Sequence, residues 1–317
     1  FAAAAPLFDD AGAVAGVQLG DMGRTRDGGE GANFSAGAEL RAPLTVLAEG
    51  CRGSLSKQLV ARYSLDAGRS APTYALGFKE LWQLPPGRVT PGLVRHSVGW
   101  PLDHSTYGGG FIYHLANDQV YVGFTVGLDY ADPLLQPFEV FQRFKHHPSV
   151  RSLLEGGEVL VYGARTIAAG GWQSLPRLDM PGALLIGDAA GLLNFARRKG
   201  VHQALRSGLL AAEHIARTGG SAGFDAVLRA SAVGRELRTV RNIKPGFKHG
   251  LWFGLANGAF ETLVAGHSPW TLAHQCNDTT LRRIHAAAES TPPERTLPPR
   301  DRSAAVYLAQ TVHDEQQ

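Results

Sequence analysis

The stretch "LLIGDAAGLLNFARRKGVHQALRSGLLAAEHI", residues 184–215, passes from an apolar run through Gly187-Asp188 into a helical repeat. Leu184, Leu185 and Ile186 have the character of a buried strand. A strand that ends in Gly-Asp places one carboxylate at the carboxyl edge of a sheet, where open α/β folds bind ligands. Ala189, Ala190 and Gly191 keep side chains away from that edge, so a ligand can approach the backbone closely. Farther on, Val201, Ala204, Leu205, Gly208, Ala212 and Ile215 recur at helical spacing, which predicts a helix with this face on the core. Gly200, at the start of the helix, leaves N–H groups able to receive a polar or anionic group. The competing reading is a strand-turn-helix in which Asp188 is only an N-cap.

Outward from this stretch, Leu44 to Ala48 reads as a buried strand, followed by a helix carrying Leu55, Leu59 and Val60 on its inner face, a βα unit. Residues 1–50 alternate short apolar runs with Asp-Asp-Ala-Gly and Arg-Asp-Gly-Gly turn clusters, as in an antiparallel meander. Between about 70 and 150 the pattern changes to strands with glycine turns, and Asn117-Asp118 sits where a hairpin turn belongs. The expected division is 1–68 and 156–232 as parts of one α/β domain, 69–155 as an inserted antiparallel β domain, 233–289 as a helical region and 290–317 as a linker.

With 317 residues, 44% hydrophobic and 19% charged, the chain can bury at least one large core. Its 31 basic and 28 acidic residues nearly balance, which gives no reason to expect a nucleic-acid partner. The two cysteines, Cys51 and Cys276, are far apart and form neither a disulfide framework nor a thiolate metal site. Adjacent His146 and His147 point in different directions and have no third ligand at metal spacing. There is no G-x-S-x-G elbow, and Ser54 has no evident base, so hydrolase chemistry is unsupported.

In "TYGGGFIYHL", Gly108, Gly109 and Gly110 are read as exposing backbone N–H and C=O groups beside Tyr107. That arrangement suits a neutral, flat, oxygen-bearing ring; the plainer alternative is a glycine bulge that bends a strand. The segment from Arg235 to Trp270 sets Arg235, Arg238, Arg241, Lys244 and Lys248 before an apolar patch of Leu251, Trp252, Phe253, Leu255, Phe260 and Leu263. The patch is too short to span a bilayer and suits a membrane interface, with Glu261 marking one wet face; the alternative is a core helix with a solvated basic face.

The strand-GD-small-small-G pattern, followed by Lys199-Gly200 and a helix, resembles the second FAD-contacting motif of glutathione-reductase-type flavoproteins. More specifically, "GCRGSLSKQLV", "VGWPLD", "TYGGGFIYHL", "FQRFKHHPSVRSLLEGG", "YGARTI", "GDAAGLLN", "KGVHQALRSGLLAAE" and "SPWTLAHQ" resemble, in order, segments of the electron-transfer flavoprotein:ubiquinone oxidoreductase family. The resemblance runs from about residue 10 to the end.

That resemblance implies an α/β fold: a partial glutathione-reductase-type FAD domain, an inserted antiparallel β quinone-binding domain and a helical membrane-surface segment. It implies electron transfer from reduced electron-transfer flavoprotein through FAD to ubiquinone, the activity of an electron-transferring-flavoprotein dehydrogenase. FAD contacts fall on Gly187, Asp188, Ala189, Gly191, Gly200 and Val201, with Arg52 as a phosphate neutraliser; ubiquinone contacts fall on Tyr107, Gly108 and Gly109. Leu251, Trp252, Phe253 and Phe260 would meet the membrane, monotopically, on the bacterial cytoplasmic or mitochondrial matrix face of an inner membrane. The family's G-x-G-x-x-G unit is expected before Phe1 and its [4Fe–4S] cysteines after Gln317, so the chain reads as the middle of a longer protein and, alone, as a poor binder of FAD. Two departures stand out: Ala196 replaces the family's usual Pro and Val201 its usual Thr, which removes a hydroxyl near the flavin. The alternatives are a related FAD-dependent reductase or hydroxylase of a lipid-like substrate, and a non-catalytic gene remnant.

Overall fold

The computed structural model of the chain describes residues 2–197 and 199–274. The expected linker at 290–317, Cys276 and the last residue of "SPWTLAHQ" lie outside the described residues. Two compact units emerge: residues 1–72, 168–245 and 258–274 make the first, and residues 73–167 with 246–257 make the second.

The first unit is α/β. Its parallel pair joins Thr45–Leu47 to Ala183–Leu185, with Thr45 opposite Ala183 and Leu47 opposite Leu185, and the strand Asp179–Met180 flanks the latter. Leu184 and Leu185 are fully buried, as a parallel strand covered on both faces requires. The helix Ser54–Arg62 returns onto this sheet and buries Leu55 and Leu59, while Val60 is half-buried, as the spacing predicts. Its orphan N–H groups are capped from a distance: Glu49 accepts hydrogen bonds from Leu55 N at 3.3 Å and Ser56 N at 2.7 Å. The amino-terminal meander is present as strands Ala3–Phe8, Val14–Leu19 and Glu39–Arg41, with a separate hairpin of Met22–Arg24 and Glu30–Ser35.

The helix Val201–Thr218 forms where expected but presents a different face. Its buried residues are Gln203, Ser207, Ala211 and His214, whereas Val201, Leu205 and Leu209 are 77%, 71% and 62% exposed. The apolar stripe therefore points outward within this unit. The reason is hydrogen bonding: Gly187 N donates to Ser207 Oγ at 3.0 Å, and the His214 ring bonds Ala222 O at 3.0 Å. Ser207 and His214, which have fixed partners, sit on the inner side.

The second unit is built on a five-stranded sheet in the order Glu158–Ala168, Tyr74–Gln83, Gln119–Gly127, Gly108–His114, Val94–His96. The central strand Gln119–Gly127 runs antiparallel to both neighbours. Asn117 and Asp118 have φ of 59° and 54°, the paired left-handed geometry of a tight hairpin turn. Helices Pro137–Lys145 and Pro148–Leu154, each with a proline in its first turn, cover the sheet with Val140, Phe141, Phe144, Val150 and Leu154. Fully burying each such side chain is worth about 1.5–3 kcal/mol. Gly110 makes room for them, since a Cβ there would lie 2.3 Å from the Phe144 ring. The unit extends to Ile167, past the division expected at 155, because Glu158–Ala168 pairs with Tyr74–Gln83.

Candidate functional site

In the first unit, the two parallel strands end side by side, and each runs into a glycine turn. Gly50 (φ 80°) follows one, and Gly187 (φ 57°) and Gly191 (φ 77°) follow the other, conformations that side chains other than glycine's rarely adopt. Gly187–Ala190 is a single 3-10 turn, and helix Val201–Thr218 begins ten residues or more beyond Asp188, so Asp188 does not cap that helix. Its carboxylate nonetheless lies at the helix start: a Cβ on Gly200 would be 3.8 Å from Asp188 Oδ1. No side chain caps the N–H groups there, and the first turn holds no acidic residue.

Burial raises the pKa of Asp188 above the usual aspartate value, and among the described residues no hydrogen bond reaches its carboxylate. The Cys51 thiol is also pushed up, by burial first and then by the Asp188 charge, which places the Gly50-Cys51-Arg52 turn beside this carboxylate. A half-buried acceptor without a donor, two turns free of bulk and an uncapped helix start can receive a ligand that both donates and accepts hydrogen bonds. Ala189 is half-buried, Val201 is exposed at the helix start and Arg52 is exposed on its turn.

Behind the helix start lies a polar group that the sequence reading missed. Buried Asn194 donates from Nδ2 to Glu236 Oε1 at 2.7 Å, and His202 Nε2 is 3.2 Å from both Glu236 oxygens. Burial acts to raise the Glu236 pKa, but the hydrogen bonds with Asn194 and His202 outweigh it and hold the carboxyl below its usual value. Gln203 is fully buried, and neither of its side-chain polar atoms has a partner among the described residues. The available signal was Asn194, a lone amide inside an apolar run.

In the second unit, the glycines of "TYGGGF" are not exposed. Gly108, Gly109 and Gly110 are buried residues of the strand Gly108–His114, with Gly109 opposite Thr125. Gly108 O accepts from Gly99 N at 3.1 Å, Gly110 O accepts from Ser97 N at 3.0 Å, and Gly110 N donates to Ser97 Oγ at 3.1 Å. The expectation of exposed backbone groups is therefore corrected: the ladder uses them. Small side chains are required for packing, since a Cβ on Gly108 would meet Leu102 Cδ1 at 2.3 Å. Beside them is a crevice lined by Val98, Gly99, Tyr107, Gly108, Phe247 and Leu251, about 10 Å3 in volume, enough for a single water. Tyr107 and Phe247 close it edge to face at 4.8 Å.

The apolar patch lies on the helix Leu251–Leu263, where Trp252 is 78% exposed and Phe253, Leu255 and Phe260 are also exposed. Leu251 is half-buried and its N–H donates to His104 O. No helix among the described residues is long and apolar enough to cross a membrane. The basic run preceding it is not one solvated face, because Arg241 and Lys244 are buried. The Arg241 guanidinium donates to the carbonyls of Arg238, Gly266, Ser268 and Trp270 and to Thr271 Oγ1. Glu261 is buried too and accepts from Asn242 Nδ2 and Ser268 Oγ, each at 3.0 Å, so it marks no wet face. His147, read as no metal ligand, caps the helix Pro148–Leu154 by accepting from Ser149 N.

A Gly-Asp turn beside a βα turn, on a chain that leaves for an antiparallel sheet and returns, defines a flavoprotein-type oxidoreductase fold. The same architecture is found in a geranylgeranyl bacteriochlorophyll reductase-like protein of Thermoplasma acidophilum, with TM-score 0.52 and 15% identity over 83% of this chain and 57% of that one. It recurs in a flavin-dependent brominase, with TM-score 0.50 and 15% identity over 84% of this chain and 66% of that one. Residues 74–167 match the family model described as "ETF-QO, ubiquinone-binding". The whole chain aligns with the mitochondrial electron transfer flavoprotein-ubiquinone oxidoreductases of Homo sapiens, at 43% identity, and of Oryza sativa subsp. japonica, at 42%. The chain belongs to the electron transfer flavoprotein-ubiquinone oxidoreductase family. It spans 54% and 57% of the length of those two relatives, about half.

Proposed function

We propose that this chain is part of an electron-transferring-flavoprotein dehydrogenase, which takes electrons from reduced electron transfer flavoprotein through FAD and delivers them to ubiquinone. The observation that carries the reading is a coincidence of boundaries: the ubiquinone-binding match at 74–167 falls on the compact antiparallel unit at 73–167. Flavin fits the first unit, where a half-buried carboxylate has no donor and the backbone turns accept a close ligand. Asp188 would accept a hydroxyl of the ribityl chain, Gly187, Ala189 and Gly191 would let it lie against the backbone, and the N–H groups after Gly200 would face the polar edge of the ring. Arg52 would neutralise phosphate. Bound FAD supplies the redox chemistry; the chain's part is to orient it and to set the electrostatics around it. Val201 brings no hydroxyl to that edge, which leaves the helix N–H groups as its donors there.

In the second unit, ubiquinone is recognised by shape, since the Gly110 amide and the Gly108 and Gly110 carbonyls are already paired. The ring enters beside Gly108 and Gly109 by parting Tyr107 from Phe247, and the buried glycine strand forms its flat floor. The exposed Trp252, Phe253 and Phe260 support a monotopic seat on an inner membrane, which would be the source of a water-insoluble quinone. An iron–sulfur cluster does not fit these residues: the sequence holds two cysteines, and the described residues include no group of three or more ligands for a metal.

The test is Gly109→Val in the full-length protein, with the two half-reactions measured separately. Ubiquinone reduction should slow at least about ten-fold, equivalent to about 1.4 kcal/mol, while reduction of the flavin by electron transfer flavoprotein persists. Unchanged quinone turnover would place the ring elsewhere, and equal loss of both half-reactions in a protein with an unchanged melting profile would refute the assignment.

A further inference from the structure

The second unit contains a cavity that the quinone reading does not use. It has a volume of about 270 Å3 and lies where the edge strand Val94–His96 and the residues after it meet the start of the helix Pro148–Leu154. Its lining is sharply divided. Ile112 and Phe144 give it an apolar floor, while Arg95, on the same face of the sheet as Ile112, and His147 stand along it as cationic or N–H-donating groups, and no acidic residue lines it among the described residues. Arg95 is exposed and has no carboxylate partner among the described residues. His147 has a fixed orientation: its Nδ1 accepts from Ser149 N and lies 2.8 Å from Ser149 Oγ, and its ring packs edge to face on Trp100 at 4.8 Å. An acceptor Nδ1 puts the ring proton on Nε2, which is then a donor.

The mouth of this cavity is apolar and exposed. Val98 and Trp100 line it and are both exposed, and Val94 beside them is exposed as well. The same loop touches the membrane patch: a Cβ on Gly99 would be 3.3 Å from Leu251 Cδ2, in the helix that carries Trp252 and Phe253. Indole rings with one polar end favour the boundary between headgroups and acyl chains. A guanidinium with one imidazole, facing a floor of aromatic and aliphatic carbon, complements a molecule with an anionic head and an apolar body. At about 30 Å3 per water the volume equals roughly nine waters, which admits a glycerophosphate head but not two acyl chains.

We infer that this cavity is a headgroup site for an anionic phospholipid, with the phosphodiester on Arg95 and His147 and the acyl chains leaving over Val98 and Trp100. The inference rests on the proposal that the protein lies on a membrane. It adds a contact that is selective for lipid charge at one place in the quinone unit, over and above the exposed basic residues of the surface.

The experiment uses the full-length protein and soluble dioctanoyl lipids, so that it reads the cavity without needing a bilayer. Dioctanoyl phosphatidylglycerol should bind, and dioctanoyl phosphatidylcholine and inorganic phosphate should each bind at least about ten-fold more weakly. Arg95→Gln should weaken phosphatidylglycerol by about five-fold, the effect of one basic residue near a charged surface, while Lys248→Gln, which removes an exposed charge from the same unit but not from the cavity, should leave it unchanged. Equal binding of inorganic phosphate would reduce the site to a plain anion contact and overturn the inference. So would equal effects of the two substitutions, or displacement of the lipid by a short-chain ubiquinone. Failure of the membrane reading is seen separately, as failure of Trp252→Ser with Phe253→Ser to weaken sedimentation with neutral vesicles.

Discussion

Lys145 is a fully buried cation in the unit that matches the ubiquinone-binding family, and replacing it with Met tests what holds that unit together. Its Nζ donates to Glu80 Oε1 at 2.7 Å and Oε2 at 2.8 Å, and Trp82 Nε1 donates to Glu80 Oε2 at 2.9 Å. Burial pushes the Lys145 pKa down and the Glu80 charge pulls it back, so the pair persists through mutual compensation. Lys145→Met keeps the volume but strands the Glu80 carboxylate with one indole N–H, at a cost of about 3–5 kcal/mol. At roughly 4–8 °C per kcal/mol for a unit of this size, melting should fall by more than about 12 °C. Adding Glu80→Gln removes the stranded charge and should recover most of that loss, since well-packed neutral replacements of buried pairs are often close to neutral. Thermal unfolding of the single and double variants, followed by circular dichroism, is the assay. If the double variant melts as low as Lys145→Met, the loss comes from packing around the Lys145 stem and the electrostatic argument is wrong. Function depends on the outcome, because this pair fastens the helix whose Phe144 fills the gap left by Gly110.

Two further outcomes follow from the sites. Burial raises the Asp188 pKa, so as pH climbs past about 4 the unfolded chain releases this proton first, and stability falls through the window up to the folded value. Asp188→Asn should therefore raise the melting point of flavin-free protein at neutral pH and flatten that pH dependence. In the full-length protein the same change should weaken flavin retention by about 1.5–3 kcal/mol, roughly 10- to 150-fold; a variant that melts lower and retains its flavin would refute both halves. Arg241→Gln should destabilise by more than about 3 kcal/mol through unpaired carbonyls and leave the salt dependence of vesicle binding unchanged. Lys248→Gln should do the reverse, losing about 1 kcal/mol on anionic vesicles, and identical behaviour of the two would put Arg241 on the surface.

What the sequence made legible was local. Leu55 and Leu59 fall on the buried face their spacing predicts, and Asn117-Asp118 turns the hairpin because both residue types tolerate positive φ. The misreadings share one cause, which is hydrogen-bond partners distant in sequence. Helical spacing groups Val201 with Leu205, but only Gly187 N, reaching Ser207 across twenty positions, decides which face turns inward. Arg241 looks like a surface charge until the chain returns with Gly266 to Trp270 and supplies carbonyls to it. The glycines at 108–110 suggested bare amides because their strand partners, Ser97 and Gly99 on one side and Thr125 on the other, are set by register and not by composition.

The antiparallel unit leaves and re-enters its host on neighbouring strands. Tyr74–Gln83 and Glu158–Ala168 lie next to each other in the sheet, and a Cβ on Gly77 would lie 3.7 Å from Arg165 O. The two ends of the excursion are therefore held together by the excursion itself. Closing a flexible loop of that length costs an entropy that grows with the logarithm of its length, but here the sheet supplies the closure and the host chain meets something equivalent to a tight turn. A unit attached in this way can be lengthened or remodelled with little effect on the folding of the chain that carries it.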